Sequence, residues 1–193
     1  MSHILCLAGL GNIGEHYADH RHNVGAQLIA FLAHAFHQKL ELHQKSRCLH
    51  TIIQDINLKI HLIIPQCYMN ESGTPIKNYL DFYKIDPQGL IVAHDELDFQ
   101  PGVLRFKMSG GHGGHNGLRN IHQQIGSESY KRIRIGIGHP GDKSKVASYV
   151  LSRPSRGEED LVRSNFQFIL ENWNLIKNEN WSLLIQILHS KIS

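Results

Sequence analysis

Apolar residues recur along this 193-residue chain with two periods, and the changes of period mark the elements. Ile4–Leu10 is a short, nearly continuous apolar run ending in glycines, as expected of a strand buried on both faces. Val24, Leu28, Phe31, Leu32 and Ala35 fall at helical spacing, so a first helix over 24–36 follows a polar loop at 11–23. Two β-branched runs, 48–54 and 58–64, flank Asp55-Ile56-Asn57 and predict a hairpin stopped by Pro65. Thr74-Pro75 opens a second helix to about Tyr83, since proline suits the first helical position. Gly89–Ala93 reads as another buried strand, and Val103–Met108 alternates as a strand does. Residues 117–125 predict a third helix, 132–138 a strand with one basic face, and Pro140-Gly141-Asp142 a turn. Residues 158–176 and 181–188 finish the chain as two amphipathic helices, with Trp173 and Trp181 assigned to packing. Strands alternating with helices predict one α/β domain over 1–193. It is a twisted mixed sheet flanked by helices, with antiparallel pairing from the 48–64 hairpin.

One stretch fits neither period. Gly110-Gly111-His112-Gly113-Gly114-His115-Asn116-Gly117 makes a poor helix and a poor strand, and each interior glycine costs about 0.5–1 kcal/mol relative to alanine. Such a run lets backbone approach a ligand and sets polar side chains at the edge of a site. Composition adds little to this. Lys and Arg exceed Asp and Glu by only 20 to 17, an excess too small to identify a polyanionic partner. The three widely spaced cysteines, Cys6, Cys48 and Cys67, form neither a disulfide framework nor a C-x-x-C pattern. With no signal-peptide pattern and no apolar run long enough to span a bilayer, the expected setting is the cytoplasm.

Three familiar motifs are only superficially present. Gly9-Leu10-Gly11-Asn12-Ile13-Gly14 matches the dinucleotide fingerprint after a strand, but no helix begins at its glycines. The expected acidic residue about 20 positions on is missing as well. His112 and His115 lack the rigid face and further ligands of a zinc site, so no metal is expected. Cys67 lacks a setting that would lower its pKa and reads as a small apolar residue. What survives is a histidine, a carboxylate and several amides. His22 precedes the first helix and Asp95 follows the strand Ile91-Val92-Ala93, the places where α/β sites collect residues. A neutral imidazole can take a proton from water while a carboxylate fixes its tautomer. Asn12, Asn70 and Asn116 suit an amide-rich substrate or a developing oxyanion. These parts point to a water-activating hydrolase. Arg105 with Lys107, and Arg132 with Arg134, each share a strand face by period-two spacing.

These residues resemble the bacterial peptidyl-tRNA hydrolase family from Gly9 to about Leu151. The matching motifs are Gly-Leu-Gly-Asn-Ile-Gly at 9–14 with Tyr17, Arg-His-Asn-Val-Gly at 21–25 and Tyr-Met-Asn-Glu-Ser-Gly at 68–73. His-Asp-Glu-Leu-Asp at 94–98, His-Asn-Gly-Leu at 115–118 and Arg-Ile-Gly-Ile-Gly-His-Pro-Gly at 134–141 complete the set. Ile13 stands where the family usually has proline, and His20 where threonine is usual. The resemblance implies hydrolysis of the ester joining a peptide to the 3′ ribose of tRNA, by a cofactor-free monomer that needs no obligate protein partner and no membrane. It implies His22 as general base and Asp95 as its orienting carboxylate. Asn12, Asn70 and Asn116 would hold the peptide, the 3′ end and the attacking water, with Met69 and Tyr17 shaping the cleft and His115 among the substrate contacts. Lys107 and Arg134, with Arg105 nearby, would meet the tRNA 5′-phosphate at the acceptor stem. A catalytically silent RNA-binding relative is the rival reading, against which the retention of both His22 and Asp95 argues.

Overall fold

The computed structural model describes residues 3–54 and 58–190. Seven strands form one sheet: β1 (His3–Gly9), β2 (Glu41–His43), β3 (Cys48–Gln54), β4 (Leu58–Pro65), β5 (Leu90–Glu96), β6 (Leu104–Lys107) and β7 (Lys131–Gly136). Their spatial order is β2-β3-β4-β1-β5-β7-β6. The four inner strands, β4, β1, β5 and β7, are parallel. An antiparallel β2-β3 pair extends one edge and antiparallel β6 closes the other. The mixed sheet expected from the sequence is therefore observed. The hairpin strands pair as expected, with Cys48 opposite Pro65; the turn at 55–57 lies outside the described residues.

Helices α1 (Val24–Ala35), α2 (Gly73–Tyr83), α3 (Asn116–Ile125), α4 (Val146–Val150), α5 (Arg156–Glu171), α6 (Trp173–Lys177) and α7 (Trp181–Ser190) complete the chain. Alternation along β1 sends Leu5 and Leu7 into one apolar cluster and Cys6 and Ala8 into another. The first cluster packs α1, α5, α6 and α7 on one face of the sheet, and the second packs α2 and α3 on the other. The expected helix over 158–176 is two helices. Asn172 ends the first by turning its side-chain Nδ2 and its backbone N–H onto the Phe168 carbonyl. Trp173 then packs on Phe36 with ring centroids 5.0 Å apart. No helix among the described residues is long and apolar enough to cross a membrane.

The fold presses chain segments together where glycines allow it. A Cβ on Gly25, in the first turn of α1, would lie 2.1 Å from the Ala93 oxygen. One on Gly9 would lie 2.2 Å from the Gly25 oxygen. The start of α1 therefore rests directly on the carboxyl ends of β1 and β5, where open α/β sheets gather their ligands.

Candidate active site

His22 occupies the middle of a single 3-10 turn, Arg21–Asn23, just ahead of α1. That turn is anchored on both sides. Arg21 donates to the Ser152 Oγ and the Arg153 carbonyl, each at 2.7 Å, and pairs with Glu158 at 2.9 Å. Asn23 exchanges two bonds with the Asn12 backbone, accepting its N–H at 3.0 Å and donating to its carbonyl at 2.9 Å. Held this way, the His22 Nδ1 lies 2.8 Å from Asp95 Oδ1. Asp95, near the end of β5, is only 4% exposed.

The same Asp95 oxygen receives a second histidine, with His115 Nε2 also at 2.8 Å. The other ring nitrogen of His115 caps α3, accepting the N–H groups of Gly117 at 3.1 Å and Leu118 at 3.4 Å. Backbone N–H groups only donate, so His115 Nδ1 is the acceptor and Nε2 carries the proton. An ionised carboxylate only accepts, so His22 Nδ1 is also protonated. The lone pair of neutral His22 is therefore on Nε2, the nitrogen turned away from Asp95.

Electrostatics agree with this assignment. Burial opposes charge on His22, but the adjacent Asp95 carboxylate outweighs it, and the pKa rises above its ordinary 6.5. Burial alone would raise Asp95; the two histidines overturn that and hold it well below the usual carboxylate range. Next in the chain, His94 donates from Nδ1 to the Asp95 carbonyl at 2.7 Å. Its complete burial, with His115 close by, depresses its pKa to about 3.

The asparagines frame this trio. Asn12 Oδ1 accepts the Met69 N–H at 2.7 Å, which leaves the NH2 group of Asn12 as the donor it can offer. Asn70 and Asn116 are exposed, and Asn116 Oδ1 takes a bond from Arg119 at 3.0 Å. Met69 is buried against the position of Gly117, where a Cβ would meet its sulfur at 2.6 Å. Tyr17 and Tyr68 meet edge to face at 6.5 Å. His115, expected among the substrate contacts, has both ring nitrogens hydrogen-bonded within the protein.

Among the described residues, His22, Asp95 and His115 are the one trio close enough to share a metal. Their 2.8 Å separations are hydrogen-bond distances. Two tetrahedral zinc ligands lie about 3.3 Å apart, so the donor set fits protons better than an ion. His112 is turned to its own loop, accepting the Gly114 N–H at 3.1 Å. A cavity of about 420 Å³ opens between α1 and α5, lined by Arg21, Phe31, Glu158 and Phe166 among others, and none of the trio lines it.

The basic residues converge more than spacing alone suggested. Arg105 lies directly opposite Arg134, and Lys107 opposite Arg132, so all four share one face of β6 and β7. Their states differ. Arg132 is 2% exposed and donates to the Gly110 and Gly111 carbonyls, which ties down the glycine run. Arg134 is paired with Glu96 through Nε and Nη2, each at 2.9 Å. Asn23 and Arg132 were not singled out as site residues from sequence. Asn23 was visible only as the neighbour of His22, and nothing local distinguishes a buried arginine from an exposed one.

Comparison with known proteins gives a consistent result. A family model described as peptidyl-tRNA hydrolase matches residues 6–192. A peptidyl-tRNA hydrolase of Francisella tularensis subsp. holarctica is 45% identical over 192 residues, covering 99% of this chain and 100% of the relative. One from Marinobacter nauticus is 44% identical over 167 residues, covering 86% of this chain and 85% of its own length. The crystal structure of peptidyl-tRNA hydrolase from Acinetobacter baumannii superposes with a TM-score of 0.91 at 37% identity. It covers 97% of this chain and 95% of that one.

Proposed function

The chain belongs to the peptidyl-tRNA hydrolase family, and from that premise we propose that it cleaves the ester between a peptide and the tRNA 3′ ribose with water activated by His22. The observation that carries this reading is the shared Asp95 oxygen. It fixes both histidine tautomers and leaves the His22 Nε2 lone pair as a base next to a buried anion.

In this reading Nε2 takes a proton from water as the water oxygen attacks the ester carbonyl. The Asp95 charge stabilises the imidazolium that results. The Asn12 NH2 group, held by the Met69 N–H on its other end, faces the oxyanion of the tetrahedral intermediate. Collapse breaks the bond to the ribose 3′ oxygen, which receives the proton back from His22. Asn70, Asn116, Tyr17 and Met69 hold the peptide and the 3′ end. Arg105, Lys107 and Arg134 meet tRNA phosphate, and His115 acts through Asp95. The enzyme works as a cytoplasmic monomer without a cofactor and recycles tRNA from aborted translation.

Hydrolysis of an N-acetylaminoacyl-tRNA in ¹⁸O-labelled water after exhaustive chelation tests this directly. One ¹⁸O should enter the released carboxylate and none the ribose, at an undiminished rate. Loss of turnover on chelation, restored by zinc, would replace the imidazole mechanism with a metal one.

A further inference from the structure

The run His94-Asp95-Glu96-Leu97-Asp98 gives its second residue to the catalytic trio, and the rest of the segment faces a different task. Period-two alternation turns Glu96 to the opposite face of β5 from Asp95, the face that carries Arg105, Lys107, Arg132 and Arg134. Like charges directly opposite one another destabilise a sheet. Arg105 and Arg134 are such a pair. The turn between β5 and β6 supplies what holds them.

The centre of the Phe99 ring lies 4.5 Å from the Arg134 guanidinium carbon and 5.8 Å from that of Arg105, so one aromatic ring serves both cations. Phe99 is itself fixed. Its carbonyl accepts the Gly138 N–H at 2.8 Å, and its Cβ sits so close to Gly136 that a side chain there would meet it at 2.8 Å. Glu96 completes the arrangement. One carboxylate oxygen accepts the Asp98 N–H at 3.2 Å and the other takes both Arg134 bonds.

We propose that Phe99 and Glu96 are positioning residues for the tRNA phosphate contacts, holding Arg105 and Arg134 side by side in a preset geometry before the nucleic acid arrives. The inference rests on the reading of these arginines as phosphate ligands. Phe99 supplies attraction to both guanidinium groups. Glu96 occupies the Nε–Nη2 edge of Arg134, so the remaining edge is what a phosphate meets. Asp95 and Glu96 are consecutive, so one short segment sets both the catalytic base and the anchor for the acceptor stem.

Kinetics of Phe99→Leu, Glu96→Gln, Arg105→Ala and Arg134→Ala test this on two substrates: full-length N-acetylaminoacyl-tRNA and the same ester on a short 3′-terminal oligonucleotide. Phe99→Leu should raise KM for the full-length substrate about fivefold, the scale of two weak cation–π contacts, with kcat kept and the rise confined to that substrate. Glu96→Gln should likewise raise KM for the full-length substrate with kcat kept, and flatten the slope of log K against log salt by up to about 0.7–0.9, because an Arg134 no longer held in place neutralises its phosphate poorly and one counterion fewer is released. If Arg134→Ala raises KM while Phe99→Leu and Glu96→Gln match the wild type, the positioning role is wrong and the phosphate contact stands. If Arg134→Ala and Arg105→Ala both leave KM unchanged, the phosphate reading fails and takes this inference with it. Equal losses for Phe99→Leu on both substrates would assign the ring to the fold alone. Should Phe99→Leu not fold, the Glu96→Gln salt slope decides on its own.

Discussion

At the scale of single residues, Asp95 is the organising group, and its removal has a definite sign. In Asp95→Asn the amide can still hold the ring of His22 but no longer favours its cation, so the His22 pKa should fall from its raised value. NMR titration of the ring in both proteins measures this, and turnover should fall less than on loss of the base itself. An unchanged or raised pKa would show that the two side chains do not interact in solution. His22 and Asp95 were legible in the sequence because each sits where an α/β sheet presents its ligands. The second histidine on Asp95 was not. His115 was visible as a polar residue in a glycine run, but its direction depends on which backbone amides it caps. Arg134 was likewise readable as a cation on a strand face, whereas its pairing with Glu96 requires the register of β5 against β7.

At the scale of elements, α3 links the glycine run to the His22–Asp95–His115 trio through its first turn. A Cβ on Gly117 would meet the Met69 sulfur at 2.6 Å and the Leu10 Cδ1 at 2.9 Å, both buried. Gly117→Ala should therefore push α3 outward, destabilise the protein by about 1–3 kcal/mol and loosen the bond from His115 to Asp95. Chemical denaturation measures the first effect, and a loss of kcat larger than any change in KM measures the second. A fully stable, fully active variant would mean that the close packing of α3 is not needed. Most elements were legible from period alone: 48–54 was expected and found as a strand, and the first helix differs from expectation by one residue at its end. Short ones were not. β2 has three residues and α4 five, too few for a periodic signal, and tertiary pairing makes them. The split of α5 from α6 also escaped, because Asn172 interrupts the helix without breaking its apolar period.

For the whole molecule, two buried histidines of strongly depressed pKa and one buried carboxylate make stability fall in acid, against the opposite contribution of His22, whose raised pKa favours the folded state as pH drops. Burial first, then the nearby His50 and Lys59, lowers His61 to about 4, and His94 lies at about 3. Both are depressed below the unfolded value of 6.5. Their contribution is therefore complete above pH 6.5 and declines as pH falls toward those values. Asp95, held below its ordinary 3.8, adds stability that is lost only at lower pH. Urea unfolding at pH 7 and pH 5 should show a clear loss for the wild type. The loss should be smaller by about 1 kcal/mol in His61→Gln, which has no proton to take up there. Equal losses would show that His61 titrates normally. On the proposed phosphate contact at the β6–β7 face, Lys107→Ala should flatten the salt slope of tRNA binding by roughly 0.7–0.9. An unaltered slope would remove Lys107 from the phosphate contacts.

The proposed role of His22 as the base that activates water is tested most directly by single-turnover hydrolysis of N-acetylaminoacyl-tRNA by His22→Ala. Arg21 and Asn23, not His22, anchor this turn to its neighbours, so the variant should unfold at nearly the same denaturant concentration as the wild type. Loss of a general base removes roughly 10²–10⁴ in rate. The predicted result is a folded protein that still binds tRNA and cleaves the ester at least about a hundredfold more slowly. A folded His22→Ala protein that hydrolyses the substrate near the wild-type rate would contradict the account.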